Sequence, residues 1–179
     1  MDLTRVYAVV LKNLMYWAWS FNRLTDTFWW PLVKLSVWGF FTSYIGKNLP
    51  FAVSLLLGGL VFWFAIQRSQ QEVSILFMDE IWGENLLNLF TTPLKFSEYL
   101  LGLILSSFVK LLASLTAMVV FAYFLYQFSL FSLGFYFLPF LAILAVFGWV
   151  IGIIVNSAIL RFGRDSEALA WMLVFAVQP

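Results

Sequence analysis

Two residue types that carry much of enzyme chemistry are missing from this chain. Cysteine and histidine are both absent from its 179 residues. The first absence excludes disulfides and thiolate nucleophiles, and the second excludes imidazole bases; together they exclude nearly every transition-metal site. Catalysis by this chain would have to rest on carboxylate, lysine, tyrosine or serine side chains alone.

Charge is also scarce. Charged residues make up 11% of the chain and hydrophobic residues 63%, with a mean hydropathy of +0.94. A soluble domain has about 25% charged residues. Such a chain lacks the polar groups to cover its own surface, so we expect membrane lipids to be its solvent. The net charge of +1 and the lack of a Lys/Arg run predict no nucleic-acid partner.

Four hydrophobic runs are long enough to cross a bilayer, which takes about 20 residues. The sequence therefore predicts an all-α integral membrane protein with complete spans at 28–45, 50–67, 99–127 and 135–160. Lys34 and Lys110 lie within these runs. For each, we favour a side chain that reaches back to the membrane interface over a cation that lines a transport path.

A fifth apolar run begins at residue 167 and ends with the chain at residue 179. It is about half as long as a span, so its last carbonyl groups would be left without partners in lipid. We therefore expect 167–179 to be a partial span and the chain to be a fragment.

Residues 2–24 have the pattern of an amphipathic helix. Arg5, Lys12 and Arg23 fall on the face opposite to an apolar stripe. That stripe has steps of three and four residues and consists of Leu3, Val6, Tyr7, Val10, Leu14, Trp17, Phe21 and Leu24. A basic face opposite an aromatic one is typical of the membrane interface, so we predict an interfacial helix with its basic side on the lipid phosphates. The alternative is a helix packed on a soluble domain, which the chain does not contain.

Lysine and arginine residues outside the spans predict the orientation. Four spans put the N-terminus, the segment 68–98 and the loop 161–165 on one side of the membrane. That side carries Arg5, Lys12, Arg23, Arg68, Lys95, Arg161 and Arg164, and the other side carries Lys47. Because positive residues favour the cytoplasm, we predict a multi-pass protein with a cytoplasmic N-terminus.

The segment 70–98 is the polar interruption between the second and third spans. It holds more than half of the nine acidic residues: Glu72, Asp79, Glu80, Glu84 and Glu98. We predict a short amphipathic helix over 79–90, which ends before Pro93 because proline disfavours a helical conformation at the preceding residue. Glu80 and Glu84 share a helix face, so one could serve as a general acid and the other as a general base. A solvated acidic face is the commoner explanation, because an acid–base pair needs surroundings that separate the pKa values of the two carboxyl groups.

A short cytoplasmic helix with an apolar face and acidic edges suits docking into a groove of a second protein. The residues that we expect to make such contacts are Asp79, Glu80, Trp82, Glu84 and Asn85. A second pattern lies in the fourth span, where Gly148 and Gly152 form G-x-x-x-G and Asn156 continues the row. This stripe predicts close packing with another membrane helix and a hydrogen bond from the asparagine across it.

The order of these motifs resembles type 2 ABC transporter permeases. The pattern Gly83-Glu84-x4-Leu89-x2-Thr92-Pro93-x4-Glu98-x3-Gly102 is similar to that family's cytoplasmic loop, in which Ser/Thr-Pro precedes a Glu and a Gly at the start of span 3. A second similarity is to the family's connection between spans 4 and 5. In this chain it consists of Arg161-Phe162-Gly163-Arg164, followed by 167–171 and Gln178-Pro179. The resemblance covers essentially all 179 residues.

The resemblance implies the permease subunit of an ABC exporter, truncated within its fifth span, in a prokaryotic plasma (cell inner) membrane. Its partners would be two ATP-binding subunits and a second permease copy, as a homodimer or a heterodimer. The segment 70–98 would be the cytoplasmic coupling region. ATP and Mg would be bound by the partner subunit, and no cofactor by this chain, which has no G-x-x-x-x-G-K-[ST] phosphate loop. The transported substrate stays open, and the alternative is a membrane-embedded enzyme or a membrane scaffold that ATP does not drive.

Overall fold

The described residues form an all-helical chain, which confirms the predicted fold class at that level. A computed structural model describes residues 1–46, 50–130, 134–163, 166–168 and 171–172, and these ranges contain no strand. The helices are α1 (Leu3–Trp19), α2 (Phe21–Gly46), α3 (Pro50–Trp82), α4 (Leu86–Thr91), α5 (Phe96–Tyr126) and α6 (Phe137–Phe162). Lys47, Arg164 and most of the predicted partial span 167–179 lie outside the described residues.

Within the described ranges, α5 and α6 are the helices that are both long and apolar enough to cross a membrane. They match the predicted spans 99–127 and 135–160 to within three residues at each end. Two such helices agree with a membrane protein. Complete spans at 28–45 and 50–67, and a count of four, stay predictions.

The interfacial helix predicted over 2–24 is wrong in its extent. Helix α1 ends at Trp19, Ser20 has an extended backbone (φ −97°, ψ 107°), and α2 begins at Phe21. At the other end of α1, the carboxylate of Asp2 accepts a hydrogen bond from Thr4 N at 3.0 Å and caps the helix. The last predicted residues of the interfacial helix therefore belong to the helix that contains the first predicted span.

Helix α3 is the centre of the bundle and contacts α2, α5 and α6. It continues without a break from the predicted second span into the polar segment, where Gln70, Glu72 and Ser74 are buried. The first part of the segment 70–98, which was predicted only as a polar interruption between two spans, is therefore buried within the bundle. The physical reason is that α2, α5 and α6 pack around this part of α3, and that α2 and α5 supply partners for its charged side chains.

Helix α1 packs against the first half of α5. A Cβ atom added at Gly102 would lie 2.6 Å from Val9 Cγ1, so the glycine allows this close approach. Val9 also belongs to an apolar cluster with Leu76, Tyr99 and Leu103, all of them buried. This cluster holds α1 over the end of α3.

Helix α6 packs against α3 through its small residues. A Cβ atom at Gly148 would lie 2.5 Å from Ile66 O, and one at Gly152 would lie 3.0 Å from Gln70 O. Asn156 Nδ2 donates a hydrogen bond to Val73 O across the same contact, at 3.4 Å. The three residues of the predicted packing stripe thus pack against α3, which is a helix of the same chain.

Candidate functional site

A cleft between α1 and the end of α3 gathers most of the predicted docking residues. We call it the α1–α3 cleft; it has a volume of about 460 Å³ and is lined by Lys12, Asn13, Tyr16, Leu76, Asp79, Glu80, Trp82, Gly83 and Asn85. Four of the five predicted docking residues are in this lining, and Glu84 is exposed beside it. The cleft is therefore the candidate site at this corner of the bundle.

The helix predicted over 79–90 is wrong, because a turn divides it. Helix α3 ends at Trp82, α4 begins at Leu86, and Glu84 between them has a left-handed backbone with φ of 51°. Glu84 N donates to Ile81 O at 3.2 Å, and Asn85 N donates to Glu80 O at 3.1 Å. These two hydrogen bonds form a Schellman motif, which ends a helix by satisfying its last carbonyl groups. Gly83 was the sequence signal for such an ending, although the left-handed position falls one residue later.

Glu80 joins three elements instead of facing solvent. Its Oε1 accepts a hydrogen bond from Lys12 Nζ of α1, and its Oε2 accepts one from Asn85 Nδ2 of the turn at 2.8 Å. Glu80 is buried, whereas the neighbouring Trp82 is exposed. Glu80 therefore links α1, α3 and the turn through two hydrogen bonds.

Asp79 pairs with Arg23, which lies at the start of α2. One carboxylate oxygen, Oδ1, accepts a hydrogen bond from Arg23 Nη2, whereas Oδ2 has no hydrogen-bond partner among the described residues. Burial raises the pKa of the Asp79 carboxyl above its usual range, because desolvation outweighs the opposing attraction of Arg23. The first turn of α2 is thereby held to the end of α3.

The basic residues of the N-terminal segment face carboxylates of this chain. In addition to the contacts of Lys12 and Arg23, Arg5 Nη1 lies 3.6 Å from Glu98 Oε2 at the start of α5. The prediction of a basic face on lipid phosphates therefore omitted these partners within the chain, although Arg5 and Lys12 stay partly exposed. Glu80 and Glu98 are buried, and a buried carboxylate needs a counterion.

A second group of charges lies deeper in the bundle, between α2, α3 and α5. Arg68 contacts Asp26 at 2.8 Å and Glu72 at 2.5 Å, and Lys110 Nζ lies 3.2 Å from Glu72 Oε2. We call these four residues the buried ion network. Lys110 does not reach toward a helix end, so the reading favoured from the sequence is wrong. The spacing of four between Arg68 and Glu72 was the available local signal for the network.

Lys34 also has a partner inside the bundle. Its Nζ donates a hydrogen bond to Gln67 Oε1 of α3, one residue before Arg68. A line of polar contacts thus follows α3 from Gln67 to Glu80. These are interactions within the protein, and within the described ranges no group of three or more carboxylates could hold a metal ion.

A comparison with models of protein families, with curated proteins and with solved structures finds no match to this chain.

Proposed function

We propose that this chain is the permease subunit of an ATP-driven ABC exporter, which forms the substrate path and couples it to two separate ATP-binding subunits. ATP and Mg²⁺ are bound by those partners. The observation that carries the proposal is a mechanical connection: one unbroken helix, α3, runs from an exposed corner at Trp82 to the buried ion network at Glu72 and Arg68.

The exposed corner has the chemistry of a docking surface. Trp82 and Leu87 expose apolar side chains, and Glu84 exposes a carboxylate beside them. This surface, formed by the end of α3, the turn after it and α4, combines apolar side chains with an acidic edge, which fits a groove on a second protein. In this proposal the partner is an ATP-binding subunit, and the segment from Asp79 to Asn85 is its point of contact.

Force at this corner passes to several helices at once. Glu80 ties α3 to Lys12 of α1, and Asp79 ties it to Arg23 of α2. Glu72 then connects α3 with Lys110 near the middle of α5. When ATP closes the partner subunits, these ties make the helices move together and open the path outward.

A second permease copy completes the proposed assembly. Helices α2 and α6 carry exposed apolar side chains along their lengths, including Val37, Phe40, Ile143 and Ile154. Such side chains require lipid or another membrane helix against them. The second copy is either identical to this chain or a related subunit.

The test uses a double variant, Trp82→Ala with Glu84→Lys, in the full-length protein. We expect the ATP-binding partner to hydrolyse ATP while transport falls at least tenfold, because the change removes the largest docking side chain and reverses the exposed charge. Trp19→Ala is the matched control, since Trp19 is also exposed but lies outside the cleft. The partner ATPase is identified by its co-purification with the tagged permease.

Normal transport by the double variant would overturn the coupling role. If no ATPase co-purifies with the tagged protein and its activity in the membrane does not depend on ATP, the result would favour the alternative, a membrane-embedded enzyme or a scaffold. Both results are read against the Trp19→Ala control, which should keep the transport rate of the unaltered protein.

A further inference from the structure

A second cavity lies along α1 from the α1–α3 cleft, toward the N-terminus of that helix, and shares Lys12 with it. We call it the α1–α4 groove; its volume is about 260 Å³. Its walls are apolar and consist of Ala8, Val9, Leu89, Pro93 and Leu94. This surface belongs to α1, to α4 and to the linker that leads into α5, and the docking proposal does not use it.

Two cations stand at the rim of the α1–α4 groove. Arg5 and Lys12 both line it, and they are seven residues apart on α1, which puts them on one face of the helix. Their side chains are 36% and 43% exposed. The rim therefore offers positive charge at the mouth of an apolar slot.

Two of the three carboxylates that pair with these cations lie behind them; the third, Asp2, is 49% exposed and lies 3.5 Å from Arg5 Nε. The side chains of Glu98 and Glu80 are 1% and 7% exposed, so they face the protein interior. Arg5 contacts Pro93 and Glu98 through Nη1 and Asp2 through Nε. A ligand that approaches from outside thus meets the two cations before it meets Glu98 or Glu80.

The position of the groove points to the headgroup level of a membrane. It lies just before Phe96, the first residue of the membrane-capable helix α5, which has 31 residues. At 1.5 Å per residue, that helix is about 46 Å long, close to the thickness of a bilayer with its headgroups, about 40–45 Å. The beginning of α5 therefore lies near the phosphates of one leaflet.

We propose that the α1–α4 groove binds an anionic phospholipid from the surrounding bilayer, with part of an acyl chain in the apolar slot and the phosphate beside Arg5 and Lys12. The slot is apolar, so each methylene group that enters it adds apolar contact. The cationic rim selects a lipid with net negative charge over a zwitterionic one. This proposal stands independently of the exporter proposal.

The experiment measures lipid binding to the full chain in neutral detergent by native mass spectrometry. The probes are dioleoyl phosphatidylglycerol and dioleoyl phosphatidylcholine, with inorganic phosphate as a competitor. We expect tighter binding of the anionic lipid, by about fivefold for each cation that contributes. Inorganic phosphate at the same concentration should leave the bound phosphatidylglycerol in place, because it has no acyl chain for the slot.

Ala8→Trp is the decisive variant, since it fills the slot from an exposed position and leaves every ion pair of α1 intact. It should lower the affinity for both lipids at least tenfold. Leu11→Trp is the matched control: it adds the same side chain to an exposed position of α1 outside the groove lining. It should leave the affinity unchanged.

The variants Arg5→Gln and Lys12→Gln, made singly, test the rim. Each should lower the preference for phosphatidylglycerol by about fivefold while the affinity for phosphatidylcholine stays the same. The proposal is overturned if Ala8→Trp binds both lipids as the unaltered chain does, if the two lipids bind equally to the unaltered chain, or if inorganic phosphate displaces the lipid.

Discussion

Lys110 Nζ lies 3.2 Å from Glu72 Oε2, and the two side chains are 3% and 4% exposed. This pair joins the middle of α5 to the middle of α3, in the part of the bundle where Arg68 also contacts Glu72. The carboxylate of Glu72 therefore compensates the charges of two buried cations, Arg68 and Lys110. Lys110 compensates only Glu72, which also has Arg68 as a partner. The two residues should contribute unequally to stability.

We expect Glu72→Gln to lower the free energy of unfolding more than Lys110→Met does. Removing one partner of a buried ion pair costs about 3–5 kcal/mol, because a charge remains without compensation. Glu72→Gln leaves the charge of Lys110 without compensation and removes one of the two carboxylates that pair with Arg68. Lys110→Met leaves Glu72 with Arg68, so its cost should fall at or below the lower end of that range.

Unfolding titrations in mixed detergent measure both variants. In the double variant, the loss should be smaller than the sum of the two single losses, because neither charge is then left alone. Equal losses for the single variants, or losses that add in the double variant, would mean that the pair is not a unit.

Glycine at the contact between α3 and α6 gives a second prediction. Gly148→Ala should destabilise the chain by about 1–3 kcal/mol, because the new methyl group would overlap Ile66 O of the α3 backbone, which cannot move aside as a side chain can. Gly59→Ala is the matched control, since a Cβ atom there meets no atom within 4 Å. That control should gain up to about 1 kcal/mol from the higher helix propensity of alanine.

Thermal unfolding of the two variants in the same detergent distinguishes these effects. A Gly148→Ala variant as stable as Gly59→Ala would show that the packing between α3 and α6 differs from the contact described above.

The raised pKa of Asp79 predicts a dependence on pH. Because the folded chain holds the Asp79 proton more tightly than the unfolded chain does, the stabilising contribution of this group is full below the ordinary pKa of an aspartate, 3.8, and is lost as pH rises through the folded pKa. Asn at this position stays uncharged at every pH. The stability of Asp79→Asn relative to the unaltered chain should therefore increase as pH rises from about 3.8 toward neutrality.

Unfolding titrations of both proteins at several pH values between 3.5 and 7 check this prediction. The difference between their free energies of unfolding is the quantity to compare, since other carboxyl groups titrate in both. A difference that is constant across this range would mean that Asp79 has the same affinity for protons in the folded and the unfolded chain.

Local patterns predicted the apolar helices well and the polar contacts poorly. Runs of apolar residues have a clear length, so the bounds of α5 and α6 came within three residues of those predicted. Lys110 and Glu72 are 38 positions apart, and a sequence does not show which helices will bring such residues together. For the same reason, the prediction for the basic face of α1 did not include the buried carboxylates of α3 and α5 that lie beside it.

The candidate site was predicted at the right corner but with the wrong local shape. Acidic and aromatic residues from 79 to 85 indicated a docking region, and most of them line one cleft. The left-handed backbone of Glu84 was not predictable by residue type, because glycine and asparagine are the usual residues at such a position and both stand next to it.

The length of α3 has a geometric consequence. From Gly59 to Trp82 the helix rises about 35 Å, at 1.5 Å per residue, with no proline in between. If the helix tilts about the glycine pair at 58–59, this part becomes a lever arm: a rotation of about 5° shifts its tip at Trp82 by about 3 Å. A small rotation of α3 relative to the neighbouring helices thereby becomes a displacement of about 3 Å at Trp82. Conversely, a displacement of Trp82 rotates the helix.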